Sequence, residues 1–147
     1  MKNNKSHLTA IKRNNLSSPV SFLLSHNLLP KTGVLDFGCG RGEDADILGF
    51  EKYDPHYFPN AAVLDKKWET IICNYVLNVV EEPNQYEILW QIYDILKHGG
   101  AAYISVRRDI KKEGFTKNGT FQRNVVLHYP VLVDKKGKFC IYKMTKD

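Results

Sequence analysis

Val34-Leu35-Asp36-Phe37-Gly38-Cys39-Gly40-Arg41-Gly42 is an apolar run that ends in an acid and a Gly-x-Gly-x-Gly turn. The pattern is that of a buried strand delivering its chain into a tight turn that opens a helix. Glycines there take backbone angles that other residues resist, and they let the backbone approach a ligand with no Cβ in the way. The spacing predicts a helix over Glu43 to Leu48, its N-terminal N–H groups pointing back at the ligand. The first expectation is therefore an α/β fold with a nucleotide-like ligand at the glycine turn.

The spacing also selects among ligands. A dinucleotide fingerprint needs Gly-x-Gly-x-x-Gly with the helix start open to a pyrophosphate. Here the place of the last glycine is taken by Glu43, followed by Asp44 and Asp46. Three carboxylates in the first turn favour the helix through its dipole but repel a pyrophosphate. A ligand carrying an ammonium and a sulfonium suits the turn better, and Asp36 is placed to meet such a group directly or through water. Further on, Gly49-Phe50-Glu51-Lys52-Tyr53 leads into Asp54-Pro55-His56. An acid at the tip of the second strand is where an adenosine ribose presents its hydroxyls, and Asp54 is expected to accept both. The alternative is that Asp54-Pro55 merely initiates a turn.

Outward from this centre, Ser18-Pro19 reads as the N-cap and first residue of a helix marked by Val20, Leu23, Leu24, Asn27 and Leu28, ended by Pro30. Only Tyr57 to Trp68 separates the second strand from the next apolar run, so the third strand region is expected to be shortened or missing. Thr70-Ile71-Ile72-Cys73 reads as a buried parallel strand and Asn74 to Asn78 as the loop at its C-terminal end, where open α/β sheets hold ligands. Pro83 opens a long helix with Tyr86, Leu89, Ile92, Tyr93 and Leu96 on one face, closed by Gly99, with His98 as its C-terminal cation. Ala101 to Val106 is the next strand. Val125 to Val133 and Phe139 to Met144 read as a terminal hairpin, with His128 a core histidine. Gly114 to Arg123 reads as an exposed loop that gates or lines the site.

At 147 residues and 43% hydrophobic, the chain has material for one compact domain. Residues 1 to 15 read as a basic arm and 16 to 147 as a single domain. No apolar run is long enough to span a membrane and the N-terminus is polar, so the expected address is the cytosol. Cys39, Cys73 and Cys140 lack metal-ligand or redox spacing, and no metal is expected.

In this order the motifs resemble the class I S-adenosylmethionine-dependent methyltransferases: Asp36 to Gly42 as the glycine loop, Asp54 as the ribose acid, Glu69 to Val80 as the fourth strand and its exit, Ile95 to Ser105 as a helix end feeding a fifth strand. The resemblance implies a minimal Rossmann-like α/β fold, its sheet mostly parallel with a C-terminal antiparallel hairpin. It implies S-adenosylmethionine as cofactor, held by Asp36, Gly38, Cys39, Gly40, Asp54, Pro55, Asn74 and Tyr75, with Asn74 and Tyr75 beside the methyl acceptor. A cap role for Asn74 and an adenine-wall role for Tyr75 are the alternatives. A narrower likeness, to the methyltransferases associated with DNA phosphorothioation systems, rests on Thr9 to Arg13, Leu16 to Val20, Tyr53-Asp54-Pro55, Tyr75 to Pro83 and Gly119-Thr120-Phe121-Gln122. Those proteins are longer, so their partner and pathway are not carried over.

The acceptor is read from charge and from missing motifs. The net charges of residues 1–35, 36–106 and 107–147 are +5, −7 and +7, which places a basic rim around an acidic centre. Such a rim attracts an anionic macromolecule, and nucleic acid, RNA or DNA, is the favoured partner. The bland alternative is solubilising decoration. Arg13, Arg107, Lys117 and Phe121 are the candidate substrate contacts. Asn74 is followed by Tyr75 with no prolines, and Cys73 is preceded by Ile72. Neither an Asn-Pro-Pro-Tyr nor a Pro-Cys nucleophile motif is present. A small-molecule or protein acceptor, or a non-catalytic accessory role, are the competing readings. Whether a homodimer or a protein partner completes the site is open.

Overall fold

The computed structural model describes residues 15–147. Arg13 and nearly all of the expected basic arm lie outside the described residues. The order of elements is α1 (Ser18–Ser25), β1 (Val34–Phe37), α2 (Glu43–Leu48), β2 (Glu51–Tyr53), β3 (Trp68–Asn74), α3 (Glu82–Ile95), β4 (Leu96–Arg107), β5 (Gly114–Phe115), β6 (Phe121–Gln122), β7 (Val131–Lys135) and β8 (Phe139–Thr145). Six strands form one sheet in the order β2-β1-β3-β4-β8-β7. The pairings β1–β2, β1–β3 and β3–β4 are parallel, while β8 runs antiparallel to both β4 and β7. This is the expected mostly parallel sheet with a C-terminal antiparallel hairpin.

Strand alternation divides the core into two layers. Leu35, Phe37, Ile71, Cys73, Ala102 and Ile104 face α3 and pack with Ile88, Leu89, Ile92 and Ile95. Ile72, Tyr103 and Ile141 face the other way, against Val20 and Leu23 of α1. Asp36 pairs in register with Ile72, and Asn74 with Ser105, so these polar residues belong to the α1 side. Between β2 and β3 the chain forms only a short 3-10 turn, Ala61–Asp65. The third strand is absent there, and β2, three residues long, is the edge of the sheet.

The helix α2 has the boundaries its sequence predicts; other elements differ for local reasons. The helix α1 is capped by Ser17 rather than Ser18 and stops at Ser25. Asn27 has φ 58°, its N–H returns to Leu24 O, and Leu28 N–H returns to Leu23 O. Asn27 and Leu28, read as helical by spacing, thus form a Schellman cap. The helix α3 ends at Ile95, not at Gly99, because Leu96 turns extended and its side chain is fully buried. Residues 97–100 then leave the register, since Trp68 faces Leu96 while Thr70 already faces Ala101. His98 is accordingly no helix cation; its Nδ1 lies 2.5 Å from Asp147 O. In the terminal hairpin, β7 starts only at Val131. The carbonyl of Val125 is taken by the Arg108 guanidinium at 2.8 Å, and Pro130 has no N–H to pair. His128 sits exposed in that irregular stretch and not in a core strand. The expected loop over Gly114 to Arg123 carries a small hairpin, β5 with β6.

One side-chain contact fastens α1 to α2. Asp44 accepts the Ser17 N–H at its Oδ1 and the Ser17 hydroxyl at its Oδ2, both at 2.8 Å, and is only 3% exposed. Asp46, by contrast, pairs with Lys52 in the open, its side chain 60% exposed. Asp44→Ala strands a buried N–H and a hydroxyl and is expected to cost about 1–3 kcal/mol. Asp46→Ala is expected to change stability by less than about 1 kcal/mol. Urea unfolding of the two variants checks the contrast, and equal losses would refute it.

Candidate functional site

Asp36, Asp54 and Asn74 stand at the carboxyl ends of β1, β2 and β3, which are neighbours in the sheet. The glycine loop between β1 and α2 is sewn to the end of β2. The N–H groups of Gly38 and Cys39 both donate to Tyr53 O, at 2.7 and 3.0 Å, and that of Gly42 donates to Cys39 O at 3.0 Å. The Gly40 N–H donates to Asp54 Oδ2 at 2.9 Å. Four donors that a phosphate-binding loop would offer to its ligand are thus already engaged. Gly38 has φ 76°, and a Cβ on it would collide with Val76 in the turn leaving β3. That glycine serves both a left-handed backbone and a close loop-to-loop contact.

Two of the three acids expected to crowd the helix start are taken up by neighbouring elements. Asp44 turns inward to Ser17 and Asp46 outward to Lys52. The negative field at the loop comes instead from the strand tips. Burial first, then Asp36 and Asp54, push the Cys39 thiol well above its ordinary range, with Lys52 opposing. Burial and Asp36 do the same to Cys73. Burial opposes a charge of either sign there, whereas the contributions of Asp36 and Asp54 favour a cation over an anion, so an ammonium or sulfonium matches the loop better than a pyrophosphate. Asp36 itself is only 2% exposed.

The carboxylate of Asp54 accepts three backbone N–H groups: Gly40 at Oδ2, and His56 and Tyr57 at Oδ1, at 2.9 and 3.0 Å. The turn reading and the ligand reading of Asp54-Pro55 therefore coexist. A carboxylate has about four acceptor positions, so roughly one is left. Accepting two ribose hydroxyls would require the Gly40 contact to give way. Pro55 is exposed in that turn, and the Arg41 guanidinium lies 5.4 Å from the centre of the Tyr57 ring beside it.

Asn74 is held from both sides. Its amide donates to Ser17 Oγ at 2.7 Å, and its Oδ1 accepts the Ser105 hydroxyl. Asp44, Ser17, Asn74 and Ser105 make one continuous hydrogen-bonded chain across α2, the start of α1, β3 and β4. Tyr75 follows with φ 62°, a left-handed conformation that a bulky residue rarely adopts, while its N–H donates to Ser105 O at 3.0 Å. Such strain concentrates at ligand sites.

Of the candidate acceptor contacts, Arg107 is paired with Asp109 through Nε at 2.8 Å, which holds the Asp109 carboxyl below its usual range. Lys117 is exposed in the turn of the β5–β6 hairpin, and the half-buried Phe121 sets its ring 5.3 Å from that of Phe115, tilted by 57°. Sequence reasoning missed Asn78 and Arg123. Asn78, fully buried, accepts the Arg107 N–H at 2.7 Å, donates its amide to Arg123 O at 3.0 Å and accepts the Arg123 N–H at its own carbonyl. Arg123 donates to Val80 O and to Gln85 Oε1. A buried polar residue amid Val76-Leu77-Asn78-Val79-Val80 was the available signal. An open depression of about 380 Å³ lined by Glu69, Thr70, His98 and Gly100 lies at the opposite ends of β3 and β4, where this architecture holds no ligand.

A family model described as a methyltransferase domain matches residues 9–145. The chain belongs to this family. It is an S-adenosylmethionine-dependent methyltransferase. Solved structures share the fold at low identity. Magnesium protoporphyrin IX methyltransferase from Synechocystis PCC 6803, with bound S-adenosylmethionine, superposes with a TM-score of 0.54 at 15% identity over 88% of this chain and 77% of that one. The glycopeptide N-methyltransferase MtfA, in complex with S-adenosylhomocysteine, gives 0.58 at 10% identity over 93% and 92%. CalO1, a methyltransferase of calicheamicin biosynthesis, gives 0.57 at 12% identity over 85% and 52%. A comparison with curated protein sequences finds no match. Among the described residues of this methyltransferase no helix is long and apolar enough to cross a membrane.

The field at the glycine loop is testable without a ligand. At pH 8 the raised thiol pKa leaves Cys39 mostly protonated, so iodoacetamide is expected to modify it at least about tenfold more slowly than free cysteine. Asp36→Asn is expected to speed the reaction. Peptide mass spectrometry over time gives both rates, and a wild-type rate equal to that of free cysteine would sink the argument.

Proposed function

We propose that the methyltransferase holds S-adenosylmethionine across the carboxyl ends of β1, β2 and β3 and transfers its methyl group to a nucleic acid. When bound, the cofactor supplies a methyl group activated by its sulfonium. The observation that carries the reading is the combination at the glycine loop: backbone donors turned inward, and a field from Asp36 and Asp54 that favours positive charge.

Within that reading, Asp36 balances the positive end of the cofactor, while Gly38, Cys39 and Gly40 form the surface it lies on. Asp54 takes a ribose hydroxyl with its remaining acceptor position, and Pro55 shapes the adjoining turn. Asn74 and Tyr75 orient the acceptor in line with the methyl group. Their work is alignment rather than proton transfer, which suits a displacement at carbon. Asn74 is already fixed by Ser17 and Ser105, so its remaining amide hydrogen has a defined direction. Burial keeps Cys73 a thiol, which supports transfer without a covalent enzyme intermediate.

The acceptor follows from charge and openness. Residues 107–147 carry a net charge of +7 against −7 for residues 36–106, and β2 ends the described sheet with no third strand to wall off a small acceptor. A large anionic acceptor fits both features. Arg107, ion-paired with Asp109, and Lys117 and Phe121 of the β5–β6 hairpin are the contacts proposed for it. The narrower reading, a methyltransferase of the phosphorothioation-associated kind, rests on the sequence motifs Tyr53-Asp54-Pro55, Tyr75 to Pro83 and Gly119-Thr120-Phe121-Gln122. A second copy or a protein partner would complete the acceptor side in an open site of this kind.

Calorimetric titration with S-adenosylhomocysteine is expected to give micromolar binding for the wild type and none for NAD. Asp36→Asn and Asp54→Ala are each expected to weaken it at least about tenfold, the scale of a charge-assisted contact. A folded wild type that takes up neither ligand would overturn the cofactor assignment.

A further inference from the structure

The β5–β6 hairpin has features that neither the fold nor the cofactor site requires. Phe115 is 71% exposed, and its ring leans on that of Phe121 at 5.3 Å with 57° between the planes. Two phenylalanines on a hairpin with two residues per strand bury little and form no core of their own. The tip is nonetheless well ordered by hydrogen bonds. Thr116 N–H donates to Thr120 O at 2.7 Å, and the two threonine hydroxyls bond to each other at 2.6 Å.

The base of the hairpin is rigid as well. Arg123, immediately after β6, is fixed to Asn78, Val80 and Gln85, and Gln122 reaches back to Lys112 O at 2.8 Å. Asn124 is held by Glu113 and Ile110. The strand β6 lies against the turn Leu77–Val79. Asn78 in that turn is four residues beyond Asn74, so its Cα lies within about 14 Å of Asn74 along the chain. The hairpin is thereby placed beside the proposed point of transfer, on the carboxyl side of β4.

Charge decides what the exposed ring is for. Residues 107–123 hold six Lys/Arg against two acids. Arg107, Arg108 and Arg123 are used internally. Lys111, Lys112 and Lys117 are exposed and make no ion pair among the described residues. An exposed aromatic flanked by uncommitted lysines matches the two needs of a single strand, a face for a base and cations for its backbone. A duplex keeps its bases paired and stacked away from such a ring, and the carboxylates of an acidic peptide would engage the lysines without the ring.

The geometry points to a single-stranded nucleic acid as the occupant: one base stacks on Phe115, supported from behind by Phe121, while Lys111, Lys112 and Lys117 take the phosphates and the strand passes beside Asn74. This rests on the reading of the site as a nucleic-acid methyltransferase and adds which form of nucleic acid it takes and where.

The test is fluorescence anisotropy of the full chain saturated with S-adenosylhomocysteine, using labelled 12-mers: a single strand, the same sequence as a duplex, and a strand of abasic sites. The expected result is a single strand bound at least about fivefold more tightly than either control, the scale of one stacked base. Phe115→Ala removes that advantage and leaves the abasic strand unaffected, Phe115→Trp keeps it, and Lys117→Ala lowers the salt slope by about 1. Because Phe115 is exposed, the unfolding midpoint of Phe115→Ala stays at the wild-type value. Equal binding of all three oligonucleotides, or a Phe115→Ala variant with wild-type preference, overturns the inference. So does a chain that takes up S-adenosylhomocysteine by calorimetry yet binds no oligonucleotide, and in that case the cofactor assignment survives. A chain that binds the single strand through Phe115 but no S-adenosylhomocysteine leaves the platform standing and fails the cofactor assignment alone.

Discussion

The chain of hydrogen bonds from Asp44 through Ser17 and Asn74 to Ser105 is the constraint on which the site depends. It spans four separate elements and lies largely out of water, where an unmatched polar group costs more than the bond itself contributes. Each member therefore dictates the position of the next. Asp44 brings the start of α1 down onto α2, Ser17 then reaches Asn74, and Ser105 fixes the far side of that amide. The tip of β3 is left with one orientation, and Tyr75 enters its strained conformation directly after it. Apolar packing alone would hold the layers together without specifying how the strand tips line up. The polar chain supplies that register at the end of the sheet where the chemistry is proposed.

Much of the fold was legible because it follows from period and punctuation. The strand β1, the helix α2 and the acid at the tip of β2 came from an apolar run, a glycine turn and the spacing to Asp54, while the mostly parallel sheet came with the family resemblance. The gap between Tyr57 and Trp68 was too short for a strand and its helix, and the structure has neither. What failed to be legible depends on contacts distant in sequence. Leu96 continues the apolar periodicity of α3, yet tertiary packing turns it into β4. Asn27 and Leu28 keep helical spacing while closing the helix, since a Schellman cap also places an apolar residue at its end. Val125 to Pro130 alternates like a strand, but Arg108 takes one of its carbonyls from another part of the chain.

The site divides along the same line. Asp36, the glycines, Asp54, Asn74 and Tyr75 were expected at strand tips, and that is where they stand. Their partners were not. The acids of α2 were read together, as charge crowding the first turn, because helix position alone cannot say that Asp44 turns inward to Ser17 and Asp46 outward to Lys52. The conclusion that the loop disfavours a pyrophosphate still holds, on different grounds: its donors are spent on Tyr53 and Asp54. Asn78 and Arg123 stand 45 residues apart, and a bond between them has no local signature.

That distant bond explains how a short chain keeps its acceptor side ordered. Without a third strand and its helix, β2 is the edge of the described sheet and lacks the layer that would buttress it. On the other flank, Asn78 joins β4, the turn after β3 and the segment after β6 in a single buried side chain. Arg123 then extends the clamp to Val80 and Gln85 at the start of α3. Loops of this length are ordinarily the mobile part of a domain. Here the excursion from Asp109 to Asn124 is pinned where it leaves and where it returns, so its hairpin stands as a fixed projection beside the strand tips. The molecule thus pairs an open edge with a rigid one, and an acceptor that enters from the first would be positioned against the second.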